Sequence, residues 1–295
     1  MPKQPNFFII GAPKCGTTAM CHYLADHPNV FLCTPKEPNF FCEDLPRIRE
    51  VRTLSDYLRL FESAGEGHTA IGDASVWCLY SAIAPGRIRD FDPQARIIVM
   101  LRNPVDFVYS LHSQFVFNGT ERERDFERAW RRQDERSGAL KQYRSIASFG
   151  AQMERLFGIF PASQVKVILF DDFSTDTHRS YVETLEFLGL EDNRRASFPK
   201  VNLNRMKRVD ALSRIVKRTP RPLAVAAEQI KSAFGIRRLG ILDAVHRLNT
   251  RTVTRPQLAP ELRRSLAREF EPEVAKLERI IGRDLRVWKA EGVTG

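Results

Sequence analysis

Lys14 lies in the stretch Phe7-Phe8-Ile9-Ile10-Gly11-Ala12-Pro13-Lys14-Cys15-Gly16-Thr17-Thr18, where an apolar run meets glycine and proline and then a pair of threonines. That order predicts a strand, a tight turn and a helix start, whose backbone N–H groups converge on an anion. The spacing from Gly11 to Gly16 fits the opening of G-x-x-x-x-G-K-[ST], but Thr17 occupies the lysine position and the lysine stands at 14 instead. A phosphorylated ligand other than ATP is expected, because the usual lysine contact to a γ-phosphate has no donor at position 17. A second cation, Arg102, closes the apolar run Arg96-Ile97-Ile98-Val99-Met100-Leu101. In open α/β sheets ligands gather at the carboxyl ends of strands, and Lys14 and Arg102 both follow such ends.

Thr34-Pro35-Lys36-Glu37-Pro38 sets one lysine and one carboxylate in a loop stiffened by two prolines. The charges are either held for use or simply solvated. Ser110 has two readings as well: it faces back to the strand end, or it bonds its own helix carbonyl. His112 is a rival base, more simply read as structural. Val167-Ile168-Leu169-Phe170-Asp171-Asp172 also describes a Mg-holding strand, which keeps a P-loop kinase with Asp171 as an alternative. Cys21 and His22 are adjacent, so on a helix they point apart, and no metal site is expected.

The elements that must position these residues follow from pattern. Helices are expected over 17–27 with Thr17 or Thr18 near the N-cap, over 55–61, over 82–91 with an interruption at Pro85, and from Pro104 with Asn103 as cap. The polar stretch 118–138 is expected as a surface helix, 145–160 as one helix, and 181–188 as another closed by Gly189. Strands are expected at 30–32, 70–75 and 164–170, and 260–281 reads as a final amphipathic helix. The segment 202–256 carries no strand signal; Leu223, Ala227, Ile230 and Phe234 recur at helical spacing, read as core packing ahead of a lid, a partner surface or peripheral membrane contact. The fold class is thus α/β, P-loop-like and three-layered, a central parallel sheet flanked by helices with a helical C-terminal elaboration. One domain over 1–295 is expected, its core about 5–200 and 257–290 and its basic elaboration about 203–256.

With 295 residues and 43% hydrophobic content the chain can fill a sizeable core. No run approaches the roughly 20 apolar residues of a membrane span. The N-terminal residues lead straight into the first strand and leave no room for a signal peptide, so a cytoplasmic protein is expected. Its five cysteines are odd in number and show no C-x-x-C pair, which fits reduced thiols. The net charge of +10 favours anionic partners, and the excess is local: between Arg194 and Arg255 the only acids are Asp210, Glu228 and Asp243. No aromatic-interleaved basic motif appears, so a nucleic-acid polymer is not the expected partner. Nothing in the sequence sets the oligomeric state.

Three stretches together resemble the sulfotransferases that use 3'-phosphoadenosine 5'-phosphosulfate (PAPS), in the branch of heparan sulfate sulfotransferases and their bacterial relatives. Ile10 to Thr18 is similar to the family's 5'-phosphosulfate loop, Ile98 to Pro104 with Tyr109-Ser110 to its 3'-phosphate motif, and Lys36-Glu37-Pro38-Asn39-Phe40-Phe41 to the segment of its catalytic glutamate. The resemblance implies PAPS as donor, with no metal. It makes Glu37 the base and Lys14 its catalytic partner, and Lys14, Cys15, Gly16, Thr17, Thr18, Arg102 and Ser110 the donor contacts. Asn202 to Arg208 resembles a loop that returns to the nucleotide, which adds Lys207 and Arg208. Lys36, Asp73 and Ser75 are placed beside the acceptor. Two departures bear on that acceptor: Asn39 stands where glycan-modifying members carry His, and Ala74 where they carry Lys. A small hydroxylated metabolite, lipid or sugar is therefore expected ahead of a glycosaminoglycan. A catalytically inactive nucleotide- or glycan-binding module is the alternative from outside catalysis.

Overall fold

The computed structural model describes residues 3–135, 142–199, 205–207, 250–252 and 256–289. Strands β1 (Phe7–Gly11), β2 (Val30–Leu32), β3 (Ala70–Asp73), β4 (Arg96–Leu101) and β5 (Val165–Leu169) form a five-stranded sheet in the order β2-β3-β1-β4-β5. Every pairing is parallel, with Phe8 opposite Asp73 and Ile97, and Leu101 opposite Leu169. The continuous apolar runs are explained by this: β1 is buried along its whole length and β4 from Ile97 onward, because both carry helices on each face.

The connections fix where a ligand can sit. From β1 the chain moves outward through α1 (Thr17–Ala25) to β2, then returns to β3 beside β1. It next crosses through α3 (Ala84–Phe91) to β4 on the other side. Right-handed crossovers in opposite directions put α1 and α3 on opposite faces, and the reversal opens a crevice beyond the carboxyl ends of β1 and β4. The Ala12 N–H donates to the Met100 carbonyl at 2.7 Å, carrying the β1–β4 pairing into the loop that holds Lys14.

One face carries α1 and α9 (Thr177–Leu188), which touch each other; the other carries α4 (Pro104–Asn118), α7 (Phe149–Phe157) and α10 (Pro260–Ile281), with α10 against both α4 and α7. Leu266, Phe270, Val274 and Leu277 supply the buried stripe of α10, and Arg263 pairs with Asp106 of α4 at 2.8 Å. Short helices α2 (Leu54–Arg59), α5 (Phe126–Arg131), α6 (Tyr143–Ala147) and α8 (Phe170–Thr175) complete the described helices. None of the described helices is long and apolar enough to cross a membrane.

Several elements differ from expectation. The α1 cap is Gly16 at φ 92°, not a threonine, because a left-handed turn is needed there. Pro85 falls in the first turn of α3 and starts the helix rather than interrupting it. The single helix expected over 145–160 is two, α6 and α7, broken at Ser148, and the Gln152 side chain donates to the carbonyls of Ser145 and Ile146 across the break. Among the described residues 119–135 only α5 and a short 3₁₀ turn at Gln133–Glu135 are helical, and Phe126, Ala129 and Trp130 are buried rather than on the surface. Two strands occur where none was expected, β6 (Arg205–Lys207) and β7 (Thr250–Thr252), paired antiparallel. The pattern Leu223 to Phe234 lies outside the described residues.

Candidate active site

The loop after β1 is built to leave donors pointing outward. Lys14 has φ 64° and Gly16 φ 92°. A Cβ on Gly16 would lie 3.0 Å from the Phe173 ring, so both its conformation and its surroundings call for glycine. The Gly16 carbonyl accepts the N–H groups of Ala19 and Met20, while the first amides of a helix have no intrahelical acceptor. No acidic side chain lies in the first turn of α1 to neutralise that end. Lys14 Nζ donates to Gln114 Oε1 of α4 at 3.1 Å, spanning the mouth of the crevice. Cys15 is fully buried; burial pushes its thiol up to about 12 against the pull of Arg102 and Lys14, so it is neutral.

Across the crevice the chain leaves β4 as Arg102-Asn103-Pro104. Asn103 Oδ1 accepts from the Val105 N–H at 2.9 Å and caps α4, while the Arg102 guanidinium lies 4.6 Å from the centroid of the Phe170 ring. A stacked guanidinium keeps its planar fork aimed while its edge remains available. Ser110 and Arg102 line the same cleft as Lys14, Gly16, Thr17, Thr18 and Glu37, with a volume of about 560 Å³. The rival base His112 is buried, its Nε2 bonded to the Glu123 carbonyl at 2.9 Å, and is not among the lining residues.

Glu37 reaches the cleft from a loop bent into unusual backbone, with φ 65° at Glu37 and 49° at Asn39. Non-glycine residues in this region cost roughly 1–2 kcal/mol each, so the surroundings must hold them there. Lys36 supplies one tie: its Nζ donates to Thr18 Oγ1 at 3.1 Å and sits 3.4 Å from Glu37 Oε1. With side chains about a third exposed, Lys36 and Glu37 are held charges rather than freely solvated ones.

Asp73 and Ser75 do not line the cleft; both are buried behind it. Asp73 accepts from the Tyr57 hydroxyl at 2.8 Å and from the Ser75 hydroxyl at 2.7 Å. Burial pushes its carboxyl up to about 6, opposed by those two hydrogen bonds and reinforced by the charge of Glu37. Of the remaining expected residues, Lys207 ends β6, which lies against α4, and Arg208 lies outside the described residues. Asp171 Oδ2 accepts from Trp288 Nε1 at 2.6 Å and Asp172 pairs with Arg283 at 2.8 Å, so both acids are engaged with the C-terminal segment.

Sequence reasoning missed Trp77, Gln114 and Phe170. Gln114 was discoverable, since Ser110, Gln114 and Asn118 recur every four residues and share one face of α4 with Leu111 and Phe115. Trp77, stacked on Phe115 with centroids 6.3 Å apart, follows a loop without periodicity and gave no such signal.

Residues 4–219 match the family model described as sulfotransferase domain. Human carbohydrate sulfotransferase 15 is 33% identical over 152 residues, 38% of this chain and 27% of that protein. Mouse bifunctional heparan sulfate N-deacetylase/N-sulfotransferase 3 is 32% identical over 110 residues, 37% of this chain and 13% of that protein. The match to the carbohydrate sulfotransferase 15 relatives spans about a quarter of their length. The solved sulfotransferase of Alicyclobacillus acidocaldarius is 29% identical, with 97% of this chain and 99% of that one covered and a TM-score of 0.72. A family match across most of the chain, joined to this full-length likeness in structure, means that the chain belongs to the sulfotransferase family.

Proposed function

We propose that the chain transfers the sulfuryl group of PAPS to a hydroxyl or amine of a carbohydrate or other small hydroxylated acceptor. One observation carries this reading: two separate anion-reading groups, Lys14 with the start of α1 and Arg102 with Ser110, line one cleft together with Glu37, the one carboxylate among its described lining residues. Two ends suit a donor with phosphates at both the 5' and 3' positions, and a volume of about 560 Å³ suits a nucleotide-sized ligand. Bound there, PAPS supplies the sulfuryl group for in-line transfer and is left as adenosine 3',5'-bisphosphate.

Lys14 and the amides at Gly16 to Thr18 stabilise the negative charge that develops on the leaving phosphate oxygen, as preorganised donors do. Arg102 fits a bidentate contact to the 3'-phosphate, with Ser110 beside it. Glu37 takes the proton of the acceptor hydroxyl, and Lys36, tied to Thr18, keeps that carboxylate next to the donor loop.

The acceptor side of the wall is apolar and neutral among the described residues, with Val76, Trp77, Leu111 and Phe115 beside the amides of Gln114 and Asn118. With Ala74 in place of a lysine, this supports an uncharged sugar, metabolite or lipid over a polyanionic chain. Carbohydrate is the acceptor class in the names of carbohydrate sulfotransferase 15 and heparan sulfate glucosamine 3-O-sulfotransferase 6. Five buried free cysteines suit a reducing compartment, and a cytoplasmic setting is part of this reading.

The test is incubation with PAPS and a panel of acceptors: N-acetylglucosamine, p-nitrophenyl β-glucoside, a long-chain alcohol and a heparan-type polysaccharide. Sulfated product, read by mass alongside adenosine 3',5'-bisphosphate, is expected with the neutral acceptors. Tight nucleotide binding without product from any acceptor would make the chain a binding module instead.

A further inference from the structure

Behind Glu37 a chain of hydrogen bonds runs inward to the sheet. The Glu37 carbonyl accepts from Asn39 Nδ2 at 2.8 Å, and the same amide nitrogen donates to the Ile48 carbonyl at 3.1 Å. Since carbonyls only accept, the orientation of the Asn39 amide is fixed, and its Oδ1 is buried with no hydrogen-bond partner among the described residues. The Asn39 N–H donates to Ser75 Oγ at 2.9 Å, and Ser75 passes its single proton to Asp73 Oδ1 at 2.7 Å. Ser75 can receive the Asn39 N–H without conflict because its own proton is directed elsewhere. An acceptor-only carboxylate guarantees that direction.

Resting on the sulfotransferase reading above, we propose that Asp73 is a positioning residue. Its buried carboxylate orients the Ser75 hydroxyl, which holds Asn39 and, through the Asn39 amide, keeps Glu37 in its left-handed conformation facing the cleft. The placement supports this: Asp73 ends β3, opposite Phe8 of β1 in the sheet, so the chain of bonds anchors the Glu37 loop to the buried interior of the sheet. Asp73 and Ser75, expected beside the acceptor, act from behind it. The two ties are complementary, with Lys36 holding the Glu37 side chain toward Thr18 and Asn39 holding its backbone.

Ionisation of Asp73 becomes part of the device. The groups facing it are Tyr57 from α2, Cys21 from α1, Cys33 and Glu37 from the loop after β2, and Ser75 and Cys78 beyond its own strand. Its carboxyl is pushed up to about 6 by burial, and the Tyr57 hydroxyl opposes that rise. Protonated, Asp73 carries a donor on one oxygen and no longer accepts on both, so the direction of the Ser75 proton is no longer enforced.

The experiment compares wild type, Asp73→Asn, Ser75→Ala and Tyr57→Phe. Three measurements are made: amide exchange of the segment 36–42, affinity for adenosine 3',5'-bisphosphate, and its release from PAPS with p-nitrophenyl β-glucoside. At about pH 8, Asp73→Asn and Ser75→Ala are expected to exchange faster in that segment but not in β4, to keep nucleotide affinity, and to lose about 10- to 100-fold in kcat. In Tyr57→Phe the acid limb of kcat is expected to move to higher pH. Unchanged exchange in 36–42, kcat losses no larger than the loss of folded protein, or an unmoved acid limb would each overturn the proposal. If wild type turns over none of the acceptors, it is the functional reading that fails, and exchange alone decides on the positioning.

Discussion

Lys14 and Glu37, both lining the cleft, share an unusual backbone, φ 64° and 65°, which packing and hydrogen bonds must enforce. For Glu37 the loop supplies the Asn39 and Lys36 ties, so Glu37→Gln, which keeps shape, is expected to leave donor affinity nearly unchanged while turnover falls about 10²- to 10⁴-fold. Titration with adenosine 3',5'-bisphosphate and single-turnover kinetics separate the two effects; a collapse of nucleotide binding would show that Glu37 supports the donor site. Arg102 tests the other end. Arg102→Ala should weaken binding of PAPS by roughly tenfold or more, yet barely affect adenosine 5'-phosphosulfate, which lacks the 3'-phosphate. Equal losses for both would make Arg102 a structural residue held by Phe170. Lys14 and Arg102 were legible because each follows an apolar strand. The burial of Asp73 was not: a carboxylate beside small residues reads as a loop charge until Tyr57, sixteen positions away in sequence, is seen to reach it.

The elements were legible where one local signal decided them. β4 is a single apolar run, and α4 carries its cap and proline in sequence order. They failed where two signals competed. Tyr143, Ile146, Ala147, Phe149, Met153 and Leu156 continue one apolar stripe across a break at Ser148, so periodicity reads α6 and α7 as one helix. β6 and β7 are three residues each and mostly polar, too short for alternation to register. The junction of β1 and α1 is where an element and the site coincide. Gly16→Ala forces a side chain into φ 92° and against Phe173, and about 1–3 kcal/mol of stability should be lost in chemical denaturation. Nucleotide affinity should fall with it, since the same turn aims the α1 amides; a variant of native stability with native affinity would contradict that coupling.

At the scale of the whole molecule, Asp73 links stability to pH. Unfolded, it ionises near 3.8; folded, it keeps its proton until about 6. Between those values the native state binds more protons, so its contribution is greatest below 3.8 and is lost as pH rises through about 6. The loss amounts to about 3 kcal/mol at most. Asp73→Asn should therefore gain in melting temperature relative to wild type as pH rises from about 4 to about 7. A constant difference would mean that the carboxyl titrates normally. An excess of stability with a deficit of activity is what separates a residue kept for positioning from one kept for folding. The five buried thiols allow the same opening to be followed in time. Cys15 lies in the donor loop, Cys33 and Cys42 bracket Glu37, and Cys78 follows the loop of Ser75. None reacts while the fold is closed, since burial shields each sulfur and holds those of Cys15 and Cys21 protonated, at about 12 and about 11. Alkylation rates thus become a stopwatch on each loop, and adenosine 3',5'-bisphosphate should slow the clock of Cys15 most, leaving that sulfur the last to be marked.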